Sequence, residues 1–279
     1  MAAPRKVSTS LSLPTEPNIP PENLEDYNSM VYGRKQWGKS TLFSQYPRSV
    51  NFQFEPGRRG LNIFQVAPKT YSQTIDLVGE FLDSDRFDRA VFDTVDRFYD
   101  MLLREECLSL SSGEKDHPGK FGKEGYSIWD YVKNKFEQVF LDIVDAGKKF
   151  SLTSHDKKVE NKDRDGAEWV RVEPTCKPAA WKIAQSMCDF VFHGDFLGGD
   201  RIVTIRDLDN TTLASCNPDI DCFLDPDGKP LRRFKLPNQR DAAYATIEAA
   251  FNNELHDYDY QPPKKALPRK STATALQSK

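Results

Sequence analysis

Residues Gly33-Arg34-Lys35-Gln36-Trp37-Gly38-Lys39-Ser40 fit the spacing G-x-x-x-x-G-K-[ST], between a short apolar run (Ser29–Tyr32) and a helix-prone stretch (Ser40–Tyr46) that Pro47 stops. That spacing suits phosphate binding. Glycines at both ends let the backbone wrap a diphosphate with its N–H groups, and the start of the following helix adds the positive end of its dipole. Lys39 then reaches the β- and γ-phosphates and the Ser40 hydroxyl ligates Mg²⁺. The candidate nucleotide contacts are Gly33, Arg34, Lys35, Gln36, Trp37, Gly38, Lys39, Ser40 and Thr41. Trp37 is bulky where such loops carry a small residue, and Lys35 adds a second cation. Trp37 either stacks outward on a base or partner or covers the helix start; the residues leave both open.

Three polar residues at the ends of apolar runs are candidates to complete the site. Asp93 closes Arg89-Ala90-Val91-Phe92, where a carboxylate would support Mg²⁺. The bland alternative is an N-cap for the helix that follows. Glu55 follows the alternating Val50, Phe52 and Phe54 and could orient and deprotonate an attacking water. It reads equally as a turn glutamate partnered by Arg58 or Arg59. His155 ends Lys149–Ser154, where a polar side chain could sense the γ-phosphate and relay its loss to the charged residues behind it. A purely structural histidine is the competing reading.

Around these residues, strands alternate with helices. Tyr71, Ile75, Val78 and Leu82 recur at helical spacing, as do Ile128, Val132, Phe136, Val139, Phe140, Ile143 and Val144. Trp169–Val172, Phe190–Phe192, Ile202–Ile205 and Thr211–Ala214 read as further strands, Asp156–Gly166 as a charged loop and Ala242–Leu255 as a last helix. The pattern predicts an α/β fold, a mostly parallel sheet flanked by helices, with ligands at the carboxyl ends of the strands.

The segments VYGRKQWGKSTL, NFQFEPGRRGLN, RAVFDTVDRFYD and FSLTSHDKKVE, in that order, resemble the phage RecA-like P-loop ATP-binding proteins, an AAA-type ATPase group that includes single-strand annealing recombinases. The resemblance spans about Met30 to Ile205 and implies a RecA-like core that binds ATP and Mg²⁺. It implies phosphate and metal binding by Lys39 and Ser40, metal support by Asp93, Glu55 as hydrolytic base and His155 as γ-phosphate sensor. It further implies that Ser111–Glu124 and Asp156–Pro178 face DNA. Trp37, and the chain beyond about Asn217, depart from the pattern.

The chain has 279 residues, with 39 Lys+Arg against 42 Asp+Glu and a net charge of -3, so any nucleic acid must meet a local patch. A mean hydropathy of -0.65 and the lack of a long apolar run exclude a membrane-spanning helix. Five scattered cysteines and an N-terminus without an apolar core point to a reducing cytoplasm, the host's if the chain is phage-encoded. The organisation expected is a flexible segment (1–25), a RecA-like ATPase core (26–216), an extension with a helix (217–260) and a basic tail (261–279). Expected partners are single-stranded DNA, further copies of the chain, and a single-strand-binding or other replication protein. A nucleotide-gated interaction module or loader that does not itself bind DNA is the alternative. A small-molecule kinase would need an arginine-rich lid, for which the charged loop offers only Arg164.

Overall fold

The computed structural model describes residues 16–56, 60–109, 128–162, 166, 168–207, 209–217 and 219–259. The lysine-bearing Ser111–Glu124, Arg58, Arg59, Arg164 and the basic tail lie outside the described residues.

The parallel strands are β1 (Ser29–Gly33), β2 (Ser49–Gln53), β3 (Gln65–Val66), β4 (Arg89–Asp93), β5 (Lys149–Lys162) and β7 (Phe190–Leu197). They lie side by side in the order β7-β1-β5-β4-β2-β3. Beyond β7 the sheet turns antiparallel through β8 (Asp200–Thr204) and β10 (Arg233–Leu236). β9 (Ser215–Cys216) also pairs with β7, and β6 (Glu168–Pro174) pairs with the far half of β5. This is the expected α/β architecture with an antiparallel margin.

Helices α1 (Lys39–Phe43), α2 (Tyr71–Leu82), α3 (Val95–Ser109), α4 (Ile128–Asp145), α5 (Pro178–Met187) and α6 (Ala243–Phe251) cover both faces. Every residue of β1, β2 and β4 is therefore buried. The period-2 alternation of the strands sorts their side chains between two cores. Met30, Tyr32, Phe52, Phe92, Phe150 and Leu152 pack under α2 to α5, where Phe52 stacks on Phe92 at 5.1 Å between centroids. Val31, Val91, Phe190, Phe192 and Val203 pack on the other face with Leu42 of α1 and Ile247 of α6. The alternation also places Gly33, Asp93, Thr153, Gly194 and Arg201 on the α1 face. The site is assembled there.

Three expectations change. The charged stretch Asp156–Gly166 is not simply a loop, because β5 runs on to Lys162 and forms an antiparallel ribbon with β6. Each valine of the ribbon faces a charged residue across the pair, Val159 opposite Arg171, Val170 opposite Glu160 and Val172 opposite Lys158, and Lys162 pairs with Glu168 at 2.6 Å, which suits a ribbon solvated on both sides. Thr211–Ala214 is a turn-rich connection rather than a strand. On α2 the buried residues are Thr74, Val78 and Phe81, while Ile75 is 37% exposed, so the helix is rotated from the face expected. Thr70 caps that helix by accepting from Gln73 N–H at 3.2 Å.

Residues 217–259 add β10 to the sheet margin and lay α6 beside α1. There Tyr244 packs edge-on to Tyr46, and its N–H donates to Gln45 Oε1 at 3.0 Å.

Candidate nucleotide-binding site

The phosphate loop is strand β1, a turn, and helix α1, as its spacing requires. Trp37 N–H donates to Arg34 O at 3.2 Å to close the turn, and Gln36 takes a left-handed φ of 66°. Gly38 takes a left-handed φ of 110°, which strains any side chain, and a Cβ there would stand 2.6 Å from Arg201 Nη2 and displace it. A Cβ on Gly33 would meet Gly194 O at 2.1 Å. These approaches explain both glycines.

Trp37 does not face outward. It is 1% exposed, its Nε1–H donates to Asp195 O at 3.0 Å, and its ring lies against Gly194, where a Cβ would meet it at 2.5 Å. Arg34 holds the same strand, with Nε 2.8 Å from Asp195 Oδ1 and its N–H donating to Gly194 O at 3.3 Å. The bulky loop residue is thus an anchor of the loop on β7, and Gly194 is the missing volume that admits it. Nothing at sequence level pairs positions so far apart.

The side chain of Lys39 is buried in the loop, its Nζ donating to Gly33 O at 2.6 Å and Arg34 O at 3.0 Å. It also stands 3.4 Å from His155 Nδ1, and His155 Nε2 stands 3.4 Å from Glu55 Oε2. Strand pairing explains the first contact, since Gly33 and His155 are neighbours in β1 and β5. Glu55 further accepts from Thr94 Oγ1 at 3.1 Å and lies 3.7 Å from Arg97 Nε. The hydrogen bond from His155 is the main cause that holds the Glu55 carboxyl down at about 2, and its charge, Thr94 and Arg97 add to it. Lys39, His155 and Glu55, far apart in sequence, form one polar chain, and Arg58 and Arg59 are not needed to partner Glu55.

Asp93 is wholly buried at the end of β4, where Oδ1 accepts from Thr153 Oγ1 at 2.6 Å across the register pair of β4 and β5. Asp96, one turn on, accepts from Ser154 Oγ at 3.0 Å and Thr175 Oγ1 at 2.6 Å, and burial pushes its carboxyl up. That fastens α3 to β5, a structural role. Ser40 Oγ is buried and makes no hydrogen bond among the described residues. An orphaned hydroxyl at the loop, a buried carboxylate two strands away and a glycine-lined cradle suit a hydrated Mg²⁺–phosphate group. No separate cluster of three or more metal-ligating side chains occurs among the described residues.

The loop floors a cavity of about 600 Å³, within the range of ligand sites, whose lining includes Lys35, Gln36, Thr41, Glu55 and His155. Phe196, Arg201 and Asn238 close its other side. Of the arginines at hand, Arg206 is consumed by the carbonyls of Phe223, Leu231 and Cys222 at 2.6, 3.0 and 3.1 Å. His193 is a further polar residue near the site that no local sequence pattern marks. It is buried beside Tyr32, with Nε2 3.9 Å from Asp156 Oδ2. Burial works against the Asp156 carboxylate, but His193 and the charge of Lys39 hold it below its ordinary value. No helix among the described residues is long and apolar enough to cross a membrane.

A solved KaiC-like protein of the hyperthermophilic archaeon Pyrococcus horikoshii is similar over 78% of this chain and 88% of that one, at 13% identity and a TM-score of 0.40. No curated protein matches the sequence. A protein-family profile described as "AAA domain" matches residues 25–212, which hold the phosphate loop, Glu55, Asp93 and His155. The chain belongs to the AAA-domain family of P-loop nucleoside triphosphatases.

Proposed function

We propose that this protein binds ATP with Mg²⁺, hydrolyses it, and couples hydrolysis to assembly on single-stranded DNA in phage recombination or replication. The observation that carries the hydrolytic reading is the Lys39–His155–Glu55 chain, which joins the phosphate-loop amine to a carboxylate through contacts of 3.4 Å. Lys39 exchanges the carbonyls of Gly33 and Arg34 for phosphate oxygens. Ser40 and Asp93 are the residues to hold Mg²⁺, which neutralises charge on the β- and γ-phosphate oxygens when bound. Glu55, a carboxylate at every pH above about 2, accepts a hydrogen bond from water and aims it. So low a pKa makes it a weak base, so orientation comes first and proton transfer follows late. His155 touches both ends of the chain, so loss of the γ-phosphate frees Lys39 and His155 to rearrange together.

Support for DNA as the partner comes from the β5–β6 ribbon, which continues directly from His155, exposes Lys157 and Lys158, and carries the half-exposed Trp169 further along, opposite Asn161. Lysines track phosphates and an indole stacks on bases without sequence preference. One observation favours the alternative, a nucleotide-gated protein-interaction module: Lys162 and Arg171 are each 2.6 Å from ribbon acids, Glu168 and Glu173. In an oligomer, a further copy of the chain would supply an arginine finger other than Arg206, whose guanidinium is taken up by three carbonyls. Hydrolysis by wild type and Lys39→Ala, with and without single-stranded DNA at two salt concentrations, separates the readings. DNA stimulation that vanishes with the mutation and weakens with salt is expected. Hydrolysis indifferent to DNA would reject the DNA partner and leave the interaction module.

A further inference from the structure

The cavity extends past the phosphates. Glu55, Asp93 and His155 belong to or follow β2, β4 and β5, which all lie on one side of β1 in the sheet. A triphosphate with its γ end toward them sends its ribose and base over the opposite side, toward β7, β8 and the segment after β10. Phe196, Arg201 and Asn238 line the cavity there. Phe196 and Arg201 are directly opposed in the β7–β8 pair and so share a face. That face is the one α1 covers, because Phe192 and Val203, at the same alternation, pack in the α1 core. Phe196 is 36% exposed, so its ring is open to the cavity it lines.

Arg201 ties this side together. Its Nε donates to Trp37 O and its Nη1 to Pro237 O, both at 3.0 Å, so one guanidinium spans the phosphate loop and the segment that carries Asn238. Asn238 lies beyond residue 212, where the family match ends.

From this arrangement we infer that Phe196, Arg201 and Asn238 form the base end of the nucleotide site: the base stacks on Phe196, Asn238 meets its edge, and Arg201 positions both against the loop. An asparagine amide, one donor and one acceptor, pairs bidentately with the N6–H and N7 of adenine, where guanine presents two acceptors, O6 and N7, so with that edge turned to Asn238 the site takes ATP in preference to GTP. The inference rests on the nucleotide reading above and extends it to a part of the chain outside the family match.

The test is calorimetric titration of the full chain with ATP, GTP and inorganic tripolyphosphate, each with Mg²⁺. Phe196→Ala should weaken ATP by about 5- to 100-fold and leave tripolyphosphate within about twofold of wild type, because only the base loses its platform. Asn238→Ala should remove the preference for ATP over GTP. Lys39→Ala should abolish binding of all three. If Phe196→Ala weakens ATP and tripolyphosphate equally, or neither, the base end is not at Phe196. Wild type that binds tripolyphosphate as tightly as ATP would overturn the base end and keep the phosphate loop. Wild type that binds none of the ligands would overturn the nucleotide reading itself.

Discussion

Replacing Gly194 with alanine adds one methyl at a position where it meets the Trp37 ring at 2.5, 2.6 and 2.7 Å. Real Cβ contacts do not come that close, and the ring cannot retreat without losing the Nε1–H bond to Asp195 O, now 3.0 Å. Overpacking of this kind costs about 1–3 kcal/mol, and a lost buried hydrogen bond adds about 1 kcal/mol. The sum of about 2–4 kcal/mol should lower Tm by roughly 5–10 °C in a chain of this size. Because Trp37 belongs to the phosphate loop, nucleotide affinity should fall with it. Thermal unfolding followed by tryptophan fluorescence, with ATP titration of the same sample, measures both. A second substitution, Trp37→Leu, relieves the clash, so the double variant should recover part of the lost stability relative to Gly194→Ala alone. If Gly194→Ala unfolds at the wild-type temperature and binds ATP as wild type does, Trp37 is not seated on β7 and the anchoring argument fails.

Two other predictions concern charge. Glu55 is held at about 2 chiefly by His155, so His155→Ala should move its titration toward the ordinary 4.5, read by carboxyl NMR. Its folded pKa is depressed, so its stabilisation is complete above about pH 4.5 and lost as pH falls toward 2; a Glu55 titration unchanged in the variant would assign the shift to Thr94 and Arg97 instead. Arg89 is 2% exposed, donates to Phe150 O, Ser151 Oγ, Glu25 O and Tyr27 O, and lies 4.7 Å from the Tyr46 ring. Arg89→Met removes the buried donor to those four acceptors, of which Ser151 Oγ keeps Ser29 Oγ at 3.3 Å, and should cost about 3–5 kcal/mol in denaturant unfolding, whereas a loss under about 1 kcal/mol would mean that water replaces the guanidinium.

The parts of the site within reach of local pattern were legible. The phosphate loop is contiguous, with its strand before it and its helix after it. Asp93, Glu55 and His155 stand out because each follows an apolar run and so falls at the same end of a parallel sheet. Face assignment was less secure on α2, where Phe81 rather than Leu82 is buried, because tertiary packing selects among nearly equivalent apolar stripes. The ribbon was misread because charge density marks solvent exposure, and a two-stranded ribbon is as exposed as a loop.

The sequence by itself determined the α/β alternation, the phosphate loop and the polar residues at the strand ends, because each depends on neighbours a few positions away. Only the tertiary structure decided that Trp37 turns inward, that Lys39, His155 and Glu55 touch in series, and that Arg201 joins the loop to Pro237. Those contacts come from the order in which strands lie side by side. Strand order is set by how a whole chain buries two faces of a sheet, and no local spacing encodes it.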